Sequence, residues 1–205
     1  MWFTMNVILI NYGVGNIFSV EYALRRAYLN VEVCSSLNSF GKADAIVIPG
    51  VGNFKIGAEN LGGFKGNIID LVRSNIPILG ICLGMQLFFQ ESDECPNMKG
   101  LGLLNGRVAR LPRNVKTPHI GWNNLKIVKY TEFLDGVDEG DYFYFAHSYY
   151  AVPSNPEITA AETEYGVRFT SVIVKNNVFG VQFHPEKSGK SGEKIIRNFA
   201  RIIKR

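Results

Sequence analysis

An apolar segment that ends at a cysteine between two glycines constrains this chain more than any other feature. The segment Ile78–Ile81 is predicted to be a buried strand. Gly80 and Gly84 stand two residues before and two residues after Cys82. This spacing is typical of a nucleophile elbow, a strand-to-helix turn so tight that only the central side chain projects. The elbow predicts that Cys82 lies at the amino end of a helix, where unpaired N–H groups favour the thiolate.

A lone cysteine has a simpler interpretation as a buried structural residue, since cysteine is among the most buried residue types. Two flanking glycines favour the interpretation of Cys82 as a nucleophile, and a nucleophilic cysteine needs partner groups that activate it and stabilise the intermediate. The turn would aim the backbone N–H of Leu83 at the negative oxygen of a tetrahedral intermediate. A second glycine-rich segment, Gly50-Val51-Gly52, follows another predicted strand. It is either a tight turn or the second half of an oxyanion hole.

Composition limits the class of protein. The chain has 205 residues, 46% of them hydrophobic and 20% charged. This predicts one domain over residues 1–205. Met5 is a second candidate start, which would leave Met1 to Thr4 as a disordered extension. The formal net charge is +4 and the basic residues are scattered, so we expect no nucleic-acid partner. No apolar run approaches the ~20 residues of a membrane span, so we expect no membrane partner.

Cysteine usage predicts the compartment. Cys34, Cys82 and Cys95 are an odd number and contain no Cys-x-x-Cys pair. This argues against a disulfide framework and against a structural zinc site. We therefore expect a cytoplasmic protein.

Strands and helices alternate in the first half of the chain. Buried strands are predicted at residues 7–10, 31–34, 45–48 and 78–81, with helices from residue 17 and near residues 64–72. Shorter strands are predicted at residues 106–111, 125–128, 142–147, 170–174 and 178–183, before a closing helix over residues 195–203. The pattern predicts an α/β fold: an open, mostly parallel sheet with helices on both faces and added antiparallel strands in the C-terminal half. Ligands of such sheets gather at the carboxyl ends of the strands.

Three histidines are candidates for the base that would activate Cys82. His184 follows an apolar strand and precedes Pro185-Glu186, so a carboxylate stands two residues from the imidazole. Such a base takes the thiol proton and later protonates the leaving amine, while the carboxylate fixes its tautomer. The alternative is a strand-end turn with a surface acid. The order Cys82, His184, Glu186 is the predicted triad.

The other two histidines have less defined roles. His147 lies in an aromatic strand and is expected to pack in the sheet or to contact substrate. His119 is expected in a loop with a structural role. Three separated histidines without paired carboxylates or thiols make a poor metal site, so we predict no metal and no cofactor.

The elbow, residues 80–86, together with His184-Pro185-Glu186 resembles the class I, or triad-type, glutamine amidotransferases, whose sheet is flavodoxin-like. Five segments resemble more narrowly the glutaminase subunits of imidazole glycerol phosphate synthases. They are residues 11–16 (NYGVGN), 49–52 (PGVG), 118–123 (PHIGWN), 145–149 (FAHSY) and 184–188 (HPEKS). The resemblance covers almost the whole chain. Asn11 and Asn53 depart from residues that are frequent in that family.

The resemblance implies a chemistry. Cys82 would attack the side-chain amide of glutamine, ammonia would leave, and water would cleave the γ-glutamyl thioester to glutamate. Leu83 would hold the oxyanion with Val51 and Gly52 through backbone N–H groups. The residues implied in glutamine binding are Gly50, Gln86, Glu94, His147, Ser148 and Tyr149. Glu94 has an alternative interpretation as a solvated acid.

The resemblance also implies a partner, a barrel-type synthase subunit that receives the ammonia in histidine biosynthesis. Trp122, Tyr144 and Lys187 are candidates for the face where it docks. Three other functions stay open from the residues. They are a paralogous amidotransferase that feeds another acceptor synthase, for example a sugar-modifying one, a cysteine amidase or peptidase, and a non-catalytic interaction subunit.

Overall fold

A computed structural model of the protein describes residues 5–36 and 43–204, so Met1 to Thr4 lie outside the described residues. The strands are β1 (Asn6–Ile10), β2 (Asn30–Cys34), β3 (Ala45–Ile48), β4 (Ile78–Ile81), β5 (Phe89–Ser92), β6 (Leu104–Arg110), β7 (His119–Asn124), β8 (Lys126–Ile127), β9 (Tyr142–His147), β10 (Tyr149–Pro153), β11 (Thr159–Glu164), β12 (Arg168–Lys175) and β13 (Val178–Val181). The α-helices are α1 (Ile17–Arg26), α2 (Phe54–Leu61), α3 (Lys65–Arg73), α4 (Leu83–Gln86) and α5 (Gly189–Ile203).

The main sheet has the strand order β2-β1-β3-β4-β13-β12-β10-β6-β5, and β11 extends it by pairing with β12 and β8. The neighbours from β2 to β13 are parallel, and the next three pairs are antiparallel. The predicted fold class, an open parallel sheet with added antiparallel strands, is confirmed. Strand β13 runs parallel beside β4 although about a hundred residues separate them, and this neighbourhood positions the site.

Two apolar layers cover the sheet because alternate residues of a strand point to opposite faces. On β1, Val7 and Leu9 pack with residues of α1 and α5. Ile8 and Ile10 pack on the other face with residues of α2 and α3. Both faces are therefore buried, which explains the continuous apolar runs of β1 and β3.

Strands β7 and β9 form a separate antiparallel ribbon. Its inner face carries His119, Asn123 and His147, and its outer face carries Trp122 and Tyr144. The expectation that His119 lies in a loop is wrong. Four of the six residues of β7 are polar or glycine, so the segment lacks the apolar alternation that predicts a strand.

Other differences concern element boundaries. The helical segment before β4 is two helices, α2 and α3, separated by a 3₁₀ turn over Gly62–Phe64. Strands β5, β10 and β11 were not predicted. The two-residue turn between β12 and β13 was predicted, and Asn176 in that turn adopts φ 52°. No helix of the described residues is long and apolar enough to span a membrane.

Candidate active site

Cys82 sits in a strained turn between β4 and α4. Its backbone has φ 53° and ψ −109°, and its N–H donates to Val181 O at 2.8 Å. A Cβ on Gly80 would lie 2.6 Å from the backbone nitrogen of Met85, and one on Gly84 would collide with the carbonyl of Ile48. Both glycines are thus required for the turn to pack, as the elbow prediction states.

The helix that follows Cys82 is shorter than the sequence suggests. α4 spans only Leu83–Gln86, a single turn. The dipole of one turn is small, so the expected contribution of a helix amino end to the thiolate is largely missing. Any stabilisation of the thiolate must come instead from neighbouring side chains.

Adjacent parallel strands bring Cys82 and His184 to one edge of the sheet. Ile81 at the end of β4 is paired with Val181 at the end of β13. The backbone N–H of His184 donates to Tyr144 O at 2.8 Å, and a 3₁₀ turn over Pro185–Lys187 follows. Neighbouring strands that end together therefore present the cysteine and the histidine from the same side.

Glu186 orients the imidazole of His184. Nδ1 of His184 lies 2.8 Å from Oε1 of Glu186, and both side chains are 2% exposed. Since a carboxylate accepts, Nδ1 is the donor and Nε2 faces away from the carboxylate. Nε2 of His184 and Oε2 of Glu186 are both buried without a hydrogen-bond partner among the described residues.

The surroundings of His184 favour the protonated form of its ring. Burial opposes the protonated ring, but the Cys82 sulfur and the Glu186 carboxylate outweigh it and raise the pKa of His184 to about 10. Nε2 of His184 has no hydrogen-bond partner among the described residues, although interaction with Cys82 is the largest of the effects that raise the pKa of His184. Such contacts in free enzymes often tighten only when substrate is bound.

The sulfur of Cys82 also has a donor that the sequence reasoning missed. Nε2 of Gln182 donates to Sγ at 3.5 Å, and Ala146 O lies 3.9 Å from the same sulfur. Gln182 is completely buried. It stands two residues before His184, and this polar residue within an apolar strand was the signal available in the sequence.

A cavity of about 220 Å³ lies beside the sulfur. Its lining residues are Gly52, Cys82, Leu83, Gln86, Glu94, Pro118, Ala146, His147, Ser148 and Tyr149. All the predicted glutamine-binding residues except Gly50 line it. A larger cavity of about 450 Å³ lies between α1 and α5 behind Glu186, but Cys82 is not among its lining residues. The smaller cavity is therefore the candidate substrate site.

Of the predicted oxyanion residues, Gly52 and Leu83 line the cavity, whereas Val51 does not and is 40% exposed. Among the described residues, none of the backbone hydrogen bonds of turns, loops and helix caps has the N–H of Val51, Gly52 or Leu83 as its donor. A Cβ on Gly50 would lie 2.6 Å from the Tyr12 hydroxyl and 2.8 Å from Leu83 Cβ. Gly50 thus allows the loop to pack against the elbow and is not itself a lining residue.

Glu94 is not a solvated acid, because it holds the loop after β3. Its Oε1 accepts from Asn53 Nδ2 at 2.9 Å, and its Oε2 accepts from the N–H of Phe54 at 2.7 Å. Asn53 also caps α2 by accepting from the N–H groups of Lys55 and Ile56. Glu94 therefore connects the cavity to the segment that carries Gly52.

His119 and His147 form a buried pair on the inner face of the ribbon, with His119 Nδ1 3.1 Å from His147 Nε2. Burial lowers the pKa of His119 to about 4. Burial and the charges of His119 and His184 together outweigh a contact with the carbonyl of Tyr149, and lower the pKa of His147 to about 3. Both rings are therefore neutral near pH 7.

The three residues predicted for partner docking lie together at the surface. The rings of Trp122 and Tyr144 meet edge to face at 6.0 Å, and Nζ of Lys187 lies 5.7 Å from the Tyr144 ring. Trp122 is 56% exposed. Within residues 5–36 and 43–204, no group of three or more His, Cys, Asp or Glu residues could hold a metal ion.

Comparisons with known proteins show the family to which the chain belongs. The family described as "Glutamine amidotransferase class-I" matches residues 8–203. The chain is 46% identical over 197 residues to the imidazole glycerol phosphate synthase subunit HisH of Pyrococcus furiosus, covering 96% of this chain and 98% of the relative. It is also 46% identical over 200 residues to the HisH subunit of Archaeoglobus fulgidus, covering 97% and 100%.

Solved structures share the fold at low sequence identity. PurLQS from Thermotoga maritima superposes with a TM-score of 0.78 at 17% identity, covering 98% of this chain and 99% of that one. A glutamine amidotransferase from Thermotoga maritima has a TM-score of 0.68 at 17% identity, covering 99% and 85%. The family model and the two relatives confirm the predicted resemblance, and the solved structures confirm the fold. The chain belongs to the class-I glutamine amidotransferase family and, within it, to the family of imidazole glycerol phosphate synthase HisH subunits.

Proposed function

We propose that this chain is the glutaminase subunit of an imidazole glycerol phosphate synthase, and that it hydrolyses glutamine through a thioester on Cys82. The observation that carries the proposal is the arrangement of Cys82 and the His184–Glu186 pair at the ends of β4 and β13, beside a cavity of about 220 Å³. The relatives' names supply the synthase. Family membership and site geometry support the same chemistry independently.

The raised pKa of His184 defines the first half of the reaction. The Cys82 thiolate attacks the carboxamide carbon of glutamine, and the carbonyl oxygen becomes an oxyanion. The imidazolium of His184 donates its Nε2 proton to the amide nitrogen as the C–N bond breaks, and ammonia leaves. The product is a γ-glutamyl thioester and a neutral His184.

Water completes the cycle. Neutral His184 takes a proton from a water molecule, and the resulting hydroxide attacks the thioester carbon. Glutamate leaves, the thiolate re-forms and the ring is again protonated. Glu186 stabilises the imidazolium in both halves through its 2.8 Å contact with Nδ1.

The cavity residues have separate tasks in this proposal. The N–H groups of Leu83 and Gly52, which line the cavity, hold the oxyanion, and the N–H of Val51 joins them only once the partner has set the loop. Gln86 uses both N–H groups of its amide within the protein, on Tyr149 O and on Gln182 Oε1, which leaves its own carbonyl oxygen for the ligand. Glu94 supplies the negative charge that the α-ammonium of glutamine requires.

A barrel-type synthase subunit would dock on the outer face of the ribbon, over Trp122, Tyr144 and Lys187. The backbone of Tyr144 contacts His184, so this face lies directly beside the triad. The complex would work in the cytoplasm and pass ammonia to the partner. We also expect the isolated chain to be weakly active, because the partner sets the oxyanion loop. Equal glutaminase rates with and without the barrel subunit would refute this part.

The test is the Cys82→Ala variant in the reconstituted complex. Glutamine-driven synthesis should disappear, whereas synthesis driven by ammonium salts should persist, because the partner needs only ammonia. Loss of both activities, or survival of the glutamine-driven one, would refute the proposal. An assay of glutamate release, with peptides as alternative substrates, distinguishes a glutaminase from a cysteine peptidase. A paralogue feeding another acceptor would release glutamate but show no synthase activity with the barrel subunit.

A further inference from the structure

The buried pair His119 and His147 lies outside the triad, and the reaction described above uses neither ring. The two residues are directly paired across β7 and β9, and their side chains are 3% and 5% exposed. Buried polar groups are retained where their hydrogen bonds are satisfied. The hydrogen bonds of this pair lead to the wall of the glutamine cavity.

A carbonyl fixes the direction of every hydrogen bond in the pair. Nδ1 of His147 lies 2.9 Å from Tyr149 O, and because a carbonyl only accepts, Nδ1 is the donor. The ring is neutral, so its Nε2 has a lone pair and accepts from His119 Nδ1 at 3.1 Å. Nε2 of His119 then accepts from Asn123 Nδ2 at 3.5 Å. The pair thus has a single tautomeric arrangement, with His119 donating toward His147.

The carbonyl of Tyr149 also links the histidine pair to the nucleophile, through Gln86 and Gln182. It accepts from Gln86 Nε2 at 2.8 Å, and Gln86 donates further to Gln182 Oε1 at 3.0 Å. Gln182 in turn donates to Sγ of Cys82 at 3.5 Å. The carbonyl of Tyr149 therefore accepts from both the amide of Gln86 and the imidazole of His147, and both of these residues line the cavity.

We propose that His119 is a positioning residue for glutamine binding: by donating to His147 it holds the Tyr149 carbonyl, and with it the segment 147–149 that lines the cavity. Without that donor, Nε2 of His147 would be a buried acceptor with no partner, and the ring would turn or admit water. The carbonyl of Tyr149 would then lose one of its two donors. The inference rests on the proposed glutaminase function.

The packing around His119 allows the effect of its hydrogen bond to be tested separately from the effect of its ring stacking. His119 is stacked between Tyr165, at 4.0 Å, and Phe145, at 4.9 Å between ring centroids. Phenylalanine at position 119 keeps a flat ring in this stack and removes the donor. Asparagine places an amide N–H where Nδ1 stands and keeps the donor, whereas the longer glutamine side chain places its amide near the position of Nε2.

The experiment measures glutaminase kinetics for the complex of this chain with its synthase subunit, using wild type and the His119→Phe, His119→Asn and His119→Gln variants. We expect His119→Phe and His119→Gln to raise the KM for glutamine about tenfold, the effect of one buried hydrogen bond, with kcat nearly unchanged. His119→Asn should restore the wild-type KM. Synthesis driven by ammonium salts should be the same in all four proteins.

The two amide variants decide the question even if the phenylalanine variant fails to fold. Equal KM values for His119→Asn and His119→Gln would overturn the inference, because a structural role does not distinguish the two amide positions. A fall in kcat without a change in KM would overturn it too. A wild-type complex that hydrolyses no glutamine would instead refute the proposed function.

Discussion

The amide of Gln182 donates a hydrogen bond to the sulfur of Cys82 at 3.5 Å, and its orientation is set by Gln86, which donates to Gln182 Oε1. Because α4 is a single turn, this amide and the imidazolium of His184 are the groups that stabilise a thiolate here. The nucleophile therefore depends on a residue outside the triad.

Gln182→Met tests that dependence, because methionine fills a similar volume without an N–H donor. Hydrogen bonds to charged groups contribute about 1.5–3 kcal/mol, so we expect glutaminase kcat/KM to fall about 10- to 100-fold. Alkylation of Cys82 by iodoacetamide at pH 7 should slow in parallel. Gln90→Met, at an exposed position, is the matched control and should leave both rates unchanged. An unchanged alkylation rate in Gln182→Met would show that this amide does not stabilise the thiolate.

The pH dependence of kcat/KM should report His184 in the enzyme without substrate. Its pKa of about 10 means that the ring keeps the proton needed by the leaving amine until the pH approaches that value. Glu186 is one cause of the raised pKa, so Glu186→Gln should lower it, and the alkaline limb of the profile should move to lower pH. Glu186→Asp retains the charge and should move the limb less. If the limb has the same midpoint in wild type and Glu186→Gln, the pair does not act as described.

Gly84 should tolerate no side chain. A Cβ there would collide with the carbonyl of Ile48, and overpacking of this kind destabilises by about 1–3 kcal/mol. The control is Gly66→Ala within α3, where a Cβ meets no atom within 4 Å, and alanine should stabilise by about 0.5–1 kcal/mol. Urea unfolding of both variants measures the difference. A Gly84→Ala protein as stable as wild type would contradict the packing of the elbow.

Asn53 should affect both stability and substrate binding. Asn53→Ala removes the cap of α2, which costs about 1 kcal/mol, and also removes a donor to Glu94. We expect lower stability and a raised KM for glutamine. Asn16→Ala removes the corresponding cap of α1, so it should lower stability without changing KM. The same KM change in both variants would show that Glu94 is not linked to the cavity through Asn53.

The sequence predicted the elements that position the triad, because long apolar runs such as Ile78–Ile81 and flanking glycines have a direct steric meaning. It did not predict the ribbon strand β7, because polar residues and glycine interrupt the apolar alternation that indicates a strand. Nor did it predict the hydrogen bonds of Gln182 or His119. Their partners lie 100 and 28 residues away along the chain, and only the neighbourhood of β4 with β13 and of β7 with β9 brings them together.

The central claim is that Cys82 carries the glutamyl group. The most direct measurement is rapid acid quenching of the complex with glutamine, followed by peptide mass spectrometry. We predict a γ-glutamyl adduct on the peptide that contains Cys82, absent from Cys82→Ala, with no glutamate released by that variant. Glutamate formation at the wild-type rate by Cys82→Ala, or an adduct on a different residue, would contradict the account.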